Sequence, residues 1–210
     1  MEPAKPNSDD TEQLLQEAQA GDGRAFEELF ARHRPYLHQV VALRLDPRIR
    51  PRLDASDVVQ EAQLDAFRRF RDFLERRPMP FRLWLRKTAC ERLLMLQRYH
   101  RLAARRSVDR EVVIPDESAF LLVQKLFRGG STPSKRLEHS ETARRVREAM
   151  ARLSEPDREI LLMRNLEELS NQEAAEVLQI EPVAASQRYG RALLRLRKLL
   201  VANGLLESQP

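Results

Sequence analysis

The stretch Ser170 to Leu200, SNQEAAEVLQIEPVAASQRYGRALLRLRKLL, decides the fold. Ser170 and Glu173 have the S-x-x-E spacing of a capping box, in which each side chain bonds the other's backbone N–H, so a helix starts here. Ala174, Val177 and Leu178 fall at i, i+3 and i+4, and Ala175 is small enough for a second helix to approach. Leu178-Gln179-Ile180 makes the turn. Pro182 then takes the first position of a new helix, where its missing N–H is harmless. In that second helix Ala185, Tyr189, Leu193, Leu196 and Leu200 form an inward stripe. Gln187, Arg188, Arg191, Arg195 and Lys198 lie largely outside it, with no acid among them. A cationic face on a helix held by a partner helix suits the DNA major groove, with side chains reaching base edges and guanidinium groups meeting phosphate. Taken alone, the same pattern also fits a solvated surface.

Composition leans the same way. The chain has 210 residues, 33% of them charged, with a net charge of +5 that favours polyanionic partners. Glycine is scarce, Leu, Arg, Glu and Ala abound, and no stretch alternates with period two, so an all-α protein is expected. The single cysteine, Cys90, excludes an internal disulfide framework and suits a reducing, cytoplasmic compartment. No apolar run reaches the ~18 residues of a membrane span, and the polar N-terminus does not read as a signal peptide. Membrane insertion is not expected.

The pattern divides the chain into a disordered tail at 1–10, a helical domain at 11–110, a linker at 111–133 and a second helical domain at 134–204. In the first domain, helices break at Gly21-Asp22-Gly23, Asp46-Pro47, Pro51 and Arg77-Pro78-Met79-Pro80. Pro115-Asp116 and Gly129-Gly130-Ser131-Thr132-Pro133 read as linker, holding one short apolar segment from Ala119 to Phe127. The second domain parses into four helices: Lys135 to Arg152, with Leu137, Val146 and Met150 inward; a helix capped by Ser154-Glu155-Pro156-Asp157; and the helix-turn-helix pair. A domain of ~70 residues has a marginal core by itself.

Two features of the first domain carry possible chemistry. Asp54-Ala-Ser-Asp-Val-Val-Gln-Glu61 opens a long helix that continues through Leu64, Phe67, Phe70 and Phe73-Leu74. Asp54 and Asp57 suit its N-terminus on dipole grounds. Gln60 and Glu61 sit beside the apolar stripe, either as solvated positions or as a contact surface for a partner. The second feature is Phe81 to Arg110, with nine Lys or Arg against two acids, interleaved with Trp84, Tyr99 and His100. Phe81, Leu85, Ala89 and Leu93 make its buried stripe. Basic groups track phosphates and aromatics stack on unpaired bases, although a Trp such as Trp84 is more often core. Catalysis gets no support: there is no P-loop, G-x-S-x-G, H-E-x-x-H or Cys/His cluster, and His33, His38, His100 and His139 show no paired arrangement. No cofactor or metal is expected.

Together these pieces resemble a bacterial RNA polymerase sigma factor of the extracytoplasmic-function group of the sigma-70 family. The resemblance covers about residues 14–110 and 135–200. AFEELFARHRPYL (Ala25 to Leu37) is similar to the opening helix of sigma domain 2. DASDVVQEAQLDAFRRF (Asp54 to Phe70) resembles the segment that grips the clamp helices of the polymerase's largest subunit. FRLWLRK (Phe81 to Lys87) resembles the start of the helix facing the −10 element. ARLSEPDREILLMRNLEELSNQEAAEVLQI (Ala151 to Ile180) resembles the entry to domain 4. Three positions depart from the pattern. Glu91 and Met95 stand where many relatives have Asn and Asp, Gln179 replaces the usual turn glycine, and Ser56 stands where relatives often have an acid.

The resemblance implies a dissociable specificity subunit of core RNA polymerase, bound to promoter DNA, and not an enzyme. Asp57, Gln60 and Glu61 would dock on the polymerase. The Arg76-Arg77-Pro78-Met79-Pro80 loop would hold flipped −10 bases, with Lys87, Arg98 and Arg101 on phosphates. Ser186, Gln187 and Arg191 would face −35 bases, and Arg188 the backbone. The linker would pass near the RNA path, where Asp116 and Glu117 add negative charge. An anti-sigma protein, or a Ser/Thr kinase acting at Ser56, are candidate regulatory partners. The rival readings are a helix-turn-helix regulator that binds DNA without core polymerase, and a helical protein that occupies the clamp without reading promoters.

Overall fold

The computed structural model describes residues 8–103, 114–126 and 136–206, with side chains for all of these except 8–9, 101–103 and 136–140. Nine α-helices and no strand occur among the described residues. None of these helices is long and apolar enough to cross a membrane. The chain forms two compact units, 1–107 and 108–210.

The first unit contains α1 (Ser8–Gln19), α2 (Gly23–Ala42), α3 (Ala55–Arg76) and α4 (Phe81–Ala103). Ser8 to Asp10, expected in the tail at 1–10, belong to α1; residues 1–7 lie outside the described residues. The starts of α2 and α3 have local causes. The Asp22 carboxylate accepts from the Arg24 N–H at 2.8 Å. Asp54 and Asp57 cap α3 reciprocally, Asp57 N–H to Asp54 at 2.9 Å and Asp54 N–H to Asp57 at 3.1 Å. This satisfies two of the N–H groups that a helix start leaves without partners. The α3–α4 corner turns on Arg77, left-handed at φ 37°, with a backbone bond back to Phe73.

An aromatic cluster forms the centre of this unit. Phe73 and Trp84 ring centroids lie 4.6 Å apart, Phe26 meets Phe70 edge-on at 4.8 Å, and Phe81 packs on Trp84 at 5.7 Å. Trp84 is buried and therefore core, so it is removed from the stacking residues considered above. His33 is sealed against the same cluster, its ring edge-on to Phe81 at 5.4 Å and its Nδ1 2.7 Å from the Leu29 carbonyl. Burial lowers its pKa below the ordinary 6.5, and the Arg82 and Arg32 charges push the same way. The folded form therefore disfavours the imidazolium. The stability that neutral His33 contributes is complete above the unfolded pKa of 6.5 and is lost as pH falls below it towards the folded pKa. The fluorescence melt of Trp84, the only tryptophan, should therefore shift down between about pH 7.5 and about pH 5.5, and shift less in His33→Gln. Equal pH slopes in the two proteins would contradict this.

The second unit contains α5 (Asp116–Leu126), α6 (Arg136–Ala151), α7 (Glu155–Asn165), α8 (Asn171–Leu178) and α9 (Pro182–Ala202). The stretch expected as linker thus holds a helix. It packs on α6 and α7, burying Ser118, Ala119 and Leu122. Burying one Leu contributes about 1.5–3 kcal/mol, which adds to the helix-favouring Glu, Ala, Leu, Gln and Lys of this eleven-residue segment. Arg147 of α6 bonds Asp116 at 2.6 Å, and Lys125 bonds Glu168, so both ends of α5 are pinned. Asp116 thereby has an intramolecular partner. Gly129 to Pro133 lie outside the described residues.

Around α5 the core is Val146, Ala149, Met150, Ile160, Leu161, Leu162, Met163, Ala174, Ala185, Ala192, Leu196 and Leu200, each fully or nearly fully buried. The Leu137 side chain lies outside the described residues. Arg158 is buried with this apolar set, as are Ser118, Asp157 and Glu167. It is 8% exposed, and its guanidinium donates to the carbonyls of Met150 and Leu153 at 3.1 and 3.3 Å. A buried cation thus closes the C-terminal end of α6, where carbonyls lack helical partners and the dipole favours positive charge. Arg145 does the same for α9, donating to the carbonyls of Asn203 and Gly204 at 3.3 and 3.2 Å.

Candidate nucleic-acid interface

The helix-turn-helix is held by its caps. The Ser170 N–H meets the Glu173 carboxylate at 2.7 Å, and the Glu173 N–H meets Ser170 Oγ at 3.1 Å. Gln179 ends α8 in the left-handed region at φ 55°, the position that the missing turn glycine would favour. Asn171 Nδ2 donates to the Pro182 carbonyl at 2.8 Å, which ties the first turn of α8 to the first turn of α9. On the inner side of α9, Tyr189 Oη bonds Asn165 Oδ1 at 3.0 Å, and the Arg164 guanidinium lies 5.6 Å from the Tyr189 ring centroid. The inner stripe differs by one residue from the sequence expectation: Ala192 is fully buried, while Tyr189 and Leu193 are half-buried.

The outer face of α9 is open. Ser186, Gln187 and Arg191 are exposed, and Arg188 is half-buried at the edge of the face. α9 carries no Asp or Glu at all. Arg195 departs from the expected cationic face. It is bonded to Asp157, in the first turn of α7, so part of its charge is already met inside the unit.

The surfaces of the first unit sort less simply. Along α4, Lys87, Met95 and Arg98 fall at helical spacing on one face, Lys87 half-buried and the others exposed. Glu91, on the same face, bonds Arg69 of α3 at 3.0 Å. Arg101 sits in the last turn of α4, and its side chain lies outside the described residues. Tyr99 is 68% exposed, so it is the aromatic of this helix with a free face for stacking. At the C-terminal end of α3 Arg76 is exposed, 4.0 Å from Asp72. Arg77, expected beside it in a base pocket, instead reaches Glu12 of α1 at 2.5 Å and serves to hold that helix.

On α3, Asp57 is exposed but used by the capping box, and Gln60 is exposed. Glu61 is turned towards α4, where Arg92 Nε donates to it at 2.6 Å. Ser56 is exposed in the first turn, between these caps. What sequence reasoning missed here is apolar. Leu64 and Phe67, counted with the core stripe of α3, are 58% and 62% exposed. They follow Gln60 at i+4 and i+7, so one face of α3 presents Gln60, Leu64 and Phe67 together. The Phe67 ring meets Phe26 edge-on at 5.3 Å, which fixes its direction without covering it. Their exposure depends on how α3 rolls against α2 and α4, which periodicity alone does not set.

Comparison with known proteins agrees with this architecture. The family described as "Sigma-70, region 4" matches residues 143–196, from α6 into α9. The RNA polymerase sigma factor CnrH of Cupriavidus metallidurans is 30% identical over 203 residues, 94% of this chain and 98% of that protein. The ECF RNA polymerase sigma factor SigD of Mycobacterium tuberculosis is 29% identical over 195 residues, 91% of this chain and 84% of that protein. Among solved structures, CnrH in complex with the cytosolic domain of CnrY superimposes with a TM-score of 0.57 at 25% identity, over 93% of this chain and 99% of that one. An all-helical chain with a capped helix-turn-helix, aligned nearly end to end with such proteins, belongs to the extracytoplasmic-function group of the sigma-70 family of RNA polymerase sigma factors.

Proposed function

We propose that this sigma factor divides its work between the two units, docking on core RNA polymerase and holding the −10 element with the first, and reading the −35 element with the second. The observation that carries the −35 assignment is the acid-free outer face of α9, with Gln187 and Arg191 exposed on a helix anchored through Tyr189 and Ala192. Cationic and amide side chains there match the donor and acceptor pattern of base edges in the major groove. In the first unit the α4 face with Lys87 and Arg98 is assigned to −10 phosphates, Tyr99 to stacking on an unpaired base, and Gln60, Leu64 and Phe67 to the polymerase. The protein acts as a binding and specificity subunit, without catalysis of its own, in the cytoplasm where polymerase works. CnrH has been solved with the cytosolic domain of CnrY, and an anti-sigma partner of this kind is the regulator proposed for the present chain. Run-off transcription with bacterial core polymerase, on the promoter upstream of this protein's own gene, tests the whole assignment. Specific initiation should appear only when the purified protein is added.

The roles on α9 separate by sequence dependence. Arg191→Ala should change which −35 base pairs are tolerated, at a cost of about 1–3 kcal/mol at one position. Arg195→Ala should leave the sequence profile unchanged. It should flatten the salt dependence of binding by less than about one ion, because its Asp157 partner already offsets part of its charge. A promoter library scored with both variants is the measurement. Identical profiles for wild type and Arg191→Ala would remove α9 from base reading.

A further inference from the structure

Two features of α9, besides the exposed Leu194 farther along the helix, fit neither the core nor phosphate binding. Val183 is 69% exposed, at the second position of α9. An isopropyl group held out in water at a helix tip has no use inside the chain. Gly190 is the second feature. It lies inside a 21-residue helix, where glycine costs about 1 kcal/mol relative to alanine. Its backbone does not require glycine, since among the described residues the positive-φ glycines are Gly21 and Gly204. Packing does not require it either, because a Cβ built there meets nothing within 4 Å. Neither the backbone nor the packing of the chain accounts for a glycine at this position.

Val183, Gln187, Gly190 and Arg191 follow one another at i, i+4, i+7 and i+8, on the side of α9 opposite Ala185, Ala192 and Leu196. An apolar group at the N-terminal tip, an amide a turn later, a bare backbone, then a guanidinium: in the major groove the one apolar feature that such a tip meets is the 5-methyl group of thymine. We propose that Val183 reads a thymine of the −35 element through its methyl group, and that Gly190 is the point where α9 comes closest to the groove. This rests on the −35 reading of α9 given above. The charge on the face agrees: Arg191 supplies the cation, and the preceding acid in the sequence, Glu181, stands outside the helix at the N-cap.

The test uses holoenzyme reconstituted from core polymerase and the full chain. A duplex library randomised over the −35 element is selected for binding, and each thymine of the selected duplex is then replaced singly by deoxyuridine, which removes only the methyl group. At one position the wild type should lose about fourfold in affinity, the worth of one buried methyl-sized group. Val183→Ala should bind the thymine and deoxyuridine duplexes equally at that position and keep the wild-type response elsewhere. Gly190→Ala should melt no lower than wild type yet bind the promoter about tenfold more weakly, as an added Cβ forces the helix out of the groove. A selected duplex without thymine, a wild type indifferent to deoxyuridine throughout, or a Val183→Ala that still discriminates overturns the thymine contact. Wild-type affinity in Gly190→Ala overturns the close approach. Arg191→Ala, scored on the same library, keeps the two levels apart. If it changes the −35 profile while deoxyuridine has no effect, the Val183 contact alone fails; if it changes nothing, the reading of α9 fails with it.

Discussion

Replacing Leu64 and Phe67 together by alanine is expected to weaken binding to core RNA polymerase at least tenfold while leaving the fold intact. Both side chains are more than half exposed, so their truncation removes little buried area from the first unit. The Phe67 edge contact with Phe26 is the one packing loss, and such ring contacts are worth about 0.5–1.5 kcal/mol. At an interface the balance reverses. An aromatic and a leucine side by side, next to exposed Gln60, form the kind of apolar anchor whose loss costs about 2 kcal/mol or more, and each 1.4 kcal/mol is roughly tenfold in affinity. Competition for core polymerase against a labelled sigma factor measures it, with the Trp84 melt as the control for folding. Unchanged affinity would place the docking surface elsewhere. The structure also orders the polar neighbours. Gln60→Ala should weaken docking modestly. Glu61→Ala should act partly through the first unit itself, since it releases Arg92 of α4.

The largest stability effect is expected at Arg158. Arg158→Met keeps the apolar stem but removes the guanidinium, leaving the Leu153 carbonyl without its partner and the Met150 carbonyl with the Leu153 N–H alone, in a region closed to water. A buried polar group without a partner costs about 1–3 kcal/mol, so a loss of about 2 kcal/mol is expected, after relief of burying the cation is counted. Burial already lowers the Arg158 pKa, which shows that its charge is held at some cost and is worth holding only because it is bonded. Arg158→Lys should fall between, because one ammonium has a narrower reach than a planar fork. Hydrogen exchange of the α6 and α7 amides reads the second unit, while Trp84 fluorescence reads the first. Faster exchange in both helices with an unmoved Trp84 melt is the expected result. Exchange at the wild-type rate would mean that water or another donor replaces the guanidinium.

Local chemistry was enough for the caps and the turn. The Ser170–Glu173 box, the Asp54–Asp57 pair, Pro182 at the head of α9 and Gln179 in the turn are contacts between residues at most four apart, so their spacing in the sequence is their geometry. The all-helical class and the acid-free face of α9 follow from composition and period for the same reason. Side-chain partners were a different matter. Arg77, Glu61 and Arg195 look equally free when read along the chain, yet they meet Glu12, Arg92 and Asp157, residues 65, 31 and 38 positions away. Such pairings depend on which helices become neighbours. The helix from Asp116 to Leu126 is short, flanked by proline and glycine, and acquires its inner face only by lying on α6 and α7. Leu64 and Phe67 share a period with Phe70 and Phe73 but are separated from them by the angle at which α3 packs, and that angle is set by α2 and α4. Sequence by itself determined the class, the capped helix ends and the recognition motif, because these rest on neighbours within a turn. Tertiary structure alone decided which charges and which apolar groups remain available to a partner, because that depends on what the rest of the fold has already covered.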